Sequence, residues 1–382
     1  MRYLSPFIIK DLQRKMVFIG GPRQSGKTTI AKELLKQTFS SGRYFNWDDD
    51  EDKLLIQKRK WLNEEELLIF DEIHKFPRWK NWVKGIFDKQ RELHKILVTG
   101  SARLDLYRRG GDSLLGRYHY WRLHPFTLCE LPKQMDPQIA FQRLLQIGGF
   151  PEPFLAEEVS FHRRWRRERM ERVIRDDIRD LEVIKDISAL SLLLEMLRSR
   201  VGSLIVVSHL AQDLQVAPNT VMRWIELLER MYVVFTVKPY TGKMSRTLSK
   251  PFKVYFFDNG DVIEDIGQKF ENLVACHLLK RVQFLEDRDG YTYELKFIRD
   301  KEKHEVDFLI FRDRTLYALI EAKWNDDKIS SSLKYFSQRL QPQKTIQLVG
   351  MLTSPYSHEQ IDVLDAVQAL TRFDYNTSEW PI

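Results

Sequence analysis

Along the first hundred residues, short apolar runs alternate with stretches that are apolar only at every third or fourth position. The runs at 16–20, 67–70 and 95–101 are of strand length and lead into glycine, acidic or hydroxyl residues, and 43–47 reads as a further strand. Residues 28–35 carry apolar side chains at helical spacing. Apolar runs of this kind predict strands of a parallel sheet buried on both faces, with polar residues at its carboxyl edge. Residues 1–15 read as an amphipathic lead-in and 48–52 as a solvated acidic loop. Further on, 133–147 is apolar at helical spacing. Residues 160–184 interleave arginines with acids three and four positions away, which predicts a salt-bridged solvated helix. Between 188 and 257 the pattern gives helices at 192–197, 209–214 and 220–231 and strands at 233–239 and 253–257. From 266 onward it gives a helix, strands at 291–297, 305–310 and 316–320, a helix at 332–340 and a strand at 345–349. The chain is therefore expected to be α/β, divided as 1–132, 133–187, 188–257 and 258–382.

The first candidate chemistry lies where strand 16–20 meets helix 28–35. Gly21 to Thr28 reads GPRQSGKT, the G-x-x-x-x-G-K-[ST] pattern of a phosphate-binding loop in nucleoside triphosphatases. Glycines let the backbone turn so that its N–H groups wrap a phosphate, and the helix N-terminus adds a positive dipole. Gly21, Pro22, Arg23, Gln24, Ser25, Gly26, Lys27, Thr28 and Thr29 are the expected nucleotide contacts. Lys27 would reach the β- and γ-phosphates, and the Thr28 hydroxyl would hold Mg²⁺. A strand ending Phe70-Asp71-Glu72 then supplies a carboxylate for Mg²⁺ (Asp71) and one to orient or deprotonate the attacking water (Glu72). Strand 95–101 should lie next to it, with Ser101 or Thr99 near the γ-phosphate. Arg117 is a candidate to neutralise charge on the transferring phosphoryl, in its own subunit or across to a neighbour.

Composition narrows the class. The 382 residues are 43 % hydrophobic and 30 % charged, as in ordinary globular proteins. No apolar run approaches the ~20 residues a membrane helix needs, and the opening Met1-Arg2-Tyr3-Leu4-Ser5-Pro6 lacks a secretory pattern. Two distant cysteines exclude a disulfide framework, so a cytoplasmic setting is expected. The net charge of +7 is weak support for nucleic-acid contact.

With GPRQSGKTT followed by IFDEIHKFPRWKNWVKGIFD, LVTGSA, LLGRY and HPFTLCEL, the chain resembles the predicted AAA+ ATPases of bacteria and archaea. That family couples an AAA+-type domain to a C-terminal domain of unassigned function. The resemblance implies ATP as the nucleotide, a catalytic set of Lys27, Glu72, Ser101 and Arg117, and a helical lid at 133–187. Ala102, where a second serine is common, departs from the pattern.

Residues 188–257 look like a winged helix-turn-helix in which Thr220 and Arg223 would face DNA bases; a packing or protein-binding role is the alternative. The order of elements from 266, with Glu271, Asp307, Glu321 and Lys323, is similar to the PD-(D/E)xK core of restriction-endonuclease-like domains. Asp307 and Glu321 at adjacent strand ends could share a second divalent metal, with Lys323 on the face of Glu321 and Glu271 completing the site from the helix. Three readings stand from sequence. One is an ATPase acting on DNA, another a nucleotide switch whose tail binds a protein, and the last an ATP-regulated nuclease. Oligomeric state is open, a homo-oligomer included.

Overall fold

The computed structural model describes residues 2–100, 114–131, 135–174, 187–241, 250–263, 265–373, 375 and 377. The chain forms two compact units, Met1–Pro125 and Phe126–Ile382.

In the first unit, strands β1 (Met16–Gly20), β2 (Gly42–Asn46), β3 (Leu67–Asp71), β4 (Lys95–Thr99) and β5 (Tyr118–Arg122) form one sheet in the order β2-β3-β4-β1-β5. Every neighbouring pair is parallel. Parallel pairing forces each connection to cross over the sheet. Helices α1 (Ser5–Leu12), α2 (Lys27–Gln37), α3 (Asp50–Lys58) and α4 (Trp79–Gln90) account for the described helices of this unit. β1 and β3 are buried at all five positions, which is why they read as unbroken apolar runs. One core packs Phe70 against Phe45, Trp61 and Trp82, with ring centroids 5.2–5.9 Å apart.

The acidic run at 48–52 is not the solvated loop the sequence suggested. Asp49 caps α3 by accepting a hydrogen bond from the Asp52 N–H, and Asp50, Glu51 and Asp52 fill the first turn. Carboxylates there meet the positive end of the helix dipole.

In the second unit, α5 (Pro137–Ile147), α6 (Pro151–Ala156) and α7 (Val159–Arg172) precede α8 (Ile187–Arg198), β6 (Leu204–Ile205), α9 (Val207–Asp213), α10 (Pro218–Arg230), β7 (Val234–Pro239) and β8 (Phe252–Phe256). Then follow α11 (Ile266–Asp289), β9 (Tyr293–Arg299), β10 (Glu305–Arg312), β11 (Thr315–Lys323), α12 (Ser331–Leu340), β12 (Lys344–Val349), β13 (Tyr356–His358), β14 (Ile361–Asp365) and α13 (Ala366–Thr371). A nine-stranded sheet runs β13-β14-β12-β11-β10-β9-β7-β8-β6. The join is a short parallel pairing of β7 with β9, Lys238 opposite Lys296 and Pro239 opposite Phe297. The three tail segments drawn from sequence at 133, 188 and 258 thus belong to one compact unit, and the sheet continues across residue 257. No sequence signal marked that join, because it rests on pairing between strands more than fifty residues apart.

Among the described residues no helix is long and apolar enough to cross a membrane.

Phe70 is fully buried and immediately precedes Asp71. Phe70→Ala is expected to destabilise the first unit by about 3–5 kcal/mol, measured by chemical denaturation. A loss below about 1 kcal/mol would mean that the aromatic core does not hold β3 in place.

Candidate functional site

The loop between β1 and α2 bends through positive φ at Gly21 (136°), Gln24 (61°) and Gly26 (96°). At Gly21 a Cβ would lie 2.4 Å from the Leu123 carbonyl oxygen, so only glycine fits. Left-handed residues alternating with right-handed ones turn successive N–H groups inward and make an anion-binding concavity, here opening at the N-terminus of α2. The buried Lys27 ammonium donates to the Gly21 and Pro22 carbonyls at 3.0 and 2.6 Å. The Ser25 hydroxyl is buried without a hydrogen-bond partner. Arg2, in the lead-in segment, braces the loop from outside: its guanidinium donates to the Ser25 carbonyl at 2.8 Å and to the His124 carbonyl at 2.7 Å.

Asp71 ends β3, and parallel register sets it beside Asn46 of β2 and Thr99 of β4. Three hydroxyls donate to its carboxylate. Thr99 reaches Oδ1 at 2.6 Å, while Thr28 and Tyr44 both reach Oδ2 at 2.7 Å. Burial and the facing Asp71 charge push the Tyr44 phenol far above its ordinary range, so it stays a donor. Lys32 lies 4.2 Å above the Tyr44 ring. Thr28 and Asp71 are hard oxygen donors in direct contact, a pair that suits Mg²⁺.

Glu72 follows in the left-handed region, φ 55°, a strained conformation for a residue with a side chain. Its N–H donates to the Thr99 carbonyl at 2.9 Å, fixing that turn. Burial raises its carboxyl above the ordinary 4.5, against the pull of Lys75 and Lys27. His74 Nε2 and Lys75 Nζ lie 3.5 and 3.7 Å from Oε2.

Ser101 and Ala102 lie outside the described residues. Arg117 does not join Lys27 and Asp71 in its own chain. It immediately precedes β5, whose first residue, Tyr118, pairs with Met16 at the start of β1. The five residues of β1, about 16 Å, separate that edge from the phosphate loop. Its guanidinium forms two hydrogen bonds to Asp88, at 2.7 and 3.2 Å. The sequence left action in its own subunit or across to a neighbour open; in this chain Arg117 pairs with Asp88.

Sequence reasoning missed Arg2 and Tyr44. A tyrosine in a partly exposed strand carries no motif, and only the register of β2 against β3 brings it to Asp71.

The C-terminal acids do converge, but around a lysine. Lys253 of β8 places Nζ 2.7 Å from Glu305 Oε1, 3.0 Å from Asp307 Oδ1 and 3.2 Å from Glu271 Oε1. Lys323 pairs with Glu321 at 2.8 Å. Burial and the Asp307 charge hold the Glu271 and Glu321 carboxyls up, at about 7 and about 8. Among the described residues no group of three or more His, Cys, Asp or Glu could hold a metal ion. Asp307, expected to share a second metal with Glu321, accepts from Lys253 through Oδ1 and from the Ala322 N–H through Oδ2. A lysine inside the apolar run Phe252-Lys253-Val254-Tyr255-Phe256 was the signal available in the sequence.

Comparison with known proteins matches residues 13–131 to an AAA domain family, and residues 138–263 and 266–367 to two domain families of unknown function. The β2-β3-β4-β1-β5 parallel sheet and the loop geometry agree with the first match, and the first unit carries an AAA-type P-loop nucleotide-binding domain. An uncharacterized protein of Mycobacterium tuberculosis is 25 % identical over 64 % of this chain and 54 % of its own length. The chain thus spans about half the length of that curated relative. An uncharacterized protein of Methanocaldococcus jannaschii is 23 % identical over 71 % of this chain and 69 % of its own. Among solved structures, a Thermotoga maritima RuvB mutant aligns at 16 % identity and TM-score 0.29, over 63 % of this chain and 84 % of that one. At that TM-score the likeness does not bear on what this chain does.

Tyr44→Phe removes one hydroxyl from Asp71, at a cost of about 1 kcal/mol for a buried hydrogen bond. Nucleotide affinity without Mg²⁺ should be unchanged, while the tightening produced by Mg²⁺ should change about five-fold. Titration of a fluorescent nucleotide with and without Mg²⁺ measures both. An equal change in the two titrations would show that Tyr44 supports the loop generally rather than the Asp71 carboxylate.

Proposed function

We propose that the first unit binds ATP with Mg²⁺ and hydrolyses it, and that hydrolysis drives the second unit in acting on nucleic acid. The observation that carries this reading is the contact of Thr28 with Asp71 at the mouth of the phosphate loop, with Glu72 next in the chain.

In this reading the loop N–H groups bind the phosphates, and Lys27 leaves the Gly21 and Pro22 carbonyls for the β- and γ-phosphate oxygens. Thr28 and Asp71 would hold Mg²⁺, which supplies positive charge to the β- and γ-phosphate oxygens. Glu72 accepts a proton from a water as the water's oxygen bonds to the γ-phosphorus. The bond from that phosphorus to the bridging oxygen breaks, leaving ADP and phosphate. A partly buried carboxyl with a raised pKa is suited to a base near neutrality. Arg117, far from its own loop, acts on a nucleotide held by a neighbouring subunit, so the active form is a homo-oligomer.

For the tail, α8, α9, α10 and the β7–β8 hairpin form a winged helix-turn-helix, supported by the helix–strand–helix–helix–hairpin order and by antiparallel pairing of β6 and β7 with β8. Arg223 is exposed on α10, where a groove-reading side chain would stand, and Thr220 is half-buried beside it. The residues from 266 form a nuclease-like core that binds nucleic acid. The net charge of +7 suits an anionic partner.

Turnover measured with and without single- and double-stranded DNA tests the coupling. Stimulation by either supports it. Slow turnover indifferent to both means a nucleotide switch whose tail binds a protein. Lys27→Ala should abolish nucleotide binding. Glu72→Gln should keep binding and lower turnover by about 10²–10⁴-fold; normal turnover would remove Glu72 from the mechanism. Because the raised Glu72 carboxyl must be ionised to act, wild-type turnover should be full above its pKa and fall as pH drops through it. That acidic limb should lie above the ordinary 4.5. A limb at or below that value would mean Glu72 is not the group being titrated.

A further inference from the structure

β8 is buried at all five positions, and its second residue is charged. The Lys253 side chain is 1 % exposed. An isolated ammonium would not remain charged at such a depth. Burial works against its charge, but Tyr255, Asp307, Glu271 and Glu305 around it outweigh that penalty and hold its pKa well above the ordinary lysine range. The three carboxylates arrive from α11 and β10, and their oxygens lie 2.7–3.2 Å from Nζ. Three N–H protons meet three acceptors, the full complement of a lysine.

Other groups hold these carboxylates as well. Tyr255, on the same face of β8, donates its hydroxyl to Glu271 Oε1 at 2.7 Å. The Ala322 N–H donates to Asp307 Oδ2 at 3.1 Å, and Arg299 donates to Glu305 Oε2 at 2.7 Å. Beside them Glu321 is 3 % exposed and its Oε2 has no hydrogen-bond partner. A divalent ion bound by these carboxylates, at about 2.0–2.6 Å from its oxygens, would have to stand where Nζ stands.

We propose that Glu271, Glu305 and Asp307 form a cation site that the chain fills with its own Lys253 ammonium, so that this unit takes up no divalent metal there and binds without metal-dependent cleavage. Charge balance agrees: Glu271, Glu305, Asp307 and Glu321 face Lys253, Arg299 and Lys323, and one proton completes neutrality. The inference is independent of ATP hydrolysis and decides against the nuclease reading of the tail.

The test uses full-length protein carrying Thr28→Ala, which removes the hydroxyl at the nucleotide site, and titrates it calorimetrically with Mn²⁺. This protein should show no binding. Adding Lys253→Met leaves the carboxylates without their ammonium and should create a site for about one Mn²⁺ per chain. Adding Asp307→Asn should abolish that site. The Lys253→Met chain should also melt at a lower temperature than its parent and recover on Mn²⁺ addition, since an ion bound only by the folded form stabilises it. Mn²⁺ uptake by the Thr28→Ala protein itself, lost on Asp307→Asn, would overturn the proposal. So would a folded Lys253→Met chain that binds no Mn²⁺. Should Lys253→Met fail to fold, the Thr28→Ala protein with and without Asp307→Asn still decides.

Discussion

The first unit depends on one carboxylate. Asp71 sits at the carboxyl end of a fully buried strand, where an ion without partners would be costly. It is tolerated because three hydroxyls from three different elements donate to it: Thr28 from α2, Tyr44 from β2 and Thr99 from β4. The same hydrogen bonds tie the phosphate loop to the middle of the sheet. A nucleotide entering the loop therefore acts directly on a group that the neighbouring strands already hold. The strained turn at Glu72 extends that arrangement by one residue.

Two buried ammonium groups show how the chain handles cations away from water. Lys27 rests on the backbone carbonyls of its own loop, partners it can leave when phosphate oxygens offer negative charge. Lys253 is surrounded by full carboxylate charges from separate elements. Both sets of bonds have an ionised donor, but only the second joins it to opposite full charges, so the first arrangement is the more readily exchanged. The difference separates a site built for a ligand from one already filled.

Much of this was legible in the sequence, and the reasons differ by element. β1, β3 and β4 announce themselves because a strand buried on both faces has no polar position to spare. The phosphate loop is legible because its glycines answer a backbone requirement, seen at Gly21. Helix α3 was not: five acids in a row look solvated until Asp49 is found capping a helix. Tyr44 and Arg2 reach the site by register and by fold, which leave no local pattern. Arg117 had the expected sequence context, yet parallel pairing put it at the far edge of the sheet. In the tail, Glu271, Asp307 and Glu321 were found as a cluster. Its meaning changed with Lys253, read at first as an ordinary strand residue, because only the fold brings its ammonium to Glu305 and Asp307 of β10.

In the proposed mechanism Asp71 links the loop to the metal on the nucleotide. The decisive measurement is how far Mg²⁺ tightens nucleotide binding in the wild type and in Asp71→Asn. Asp71→Asn is expected to bind nucleotide as the wild type does without Mg²⁺, and to lose the Mg²⁺-dependent gain. A variant that keeps the full gain would contradict the claim.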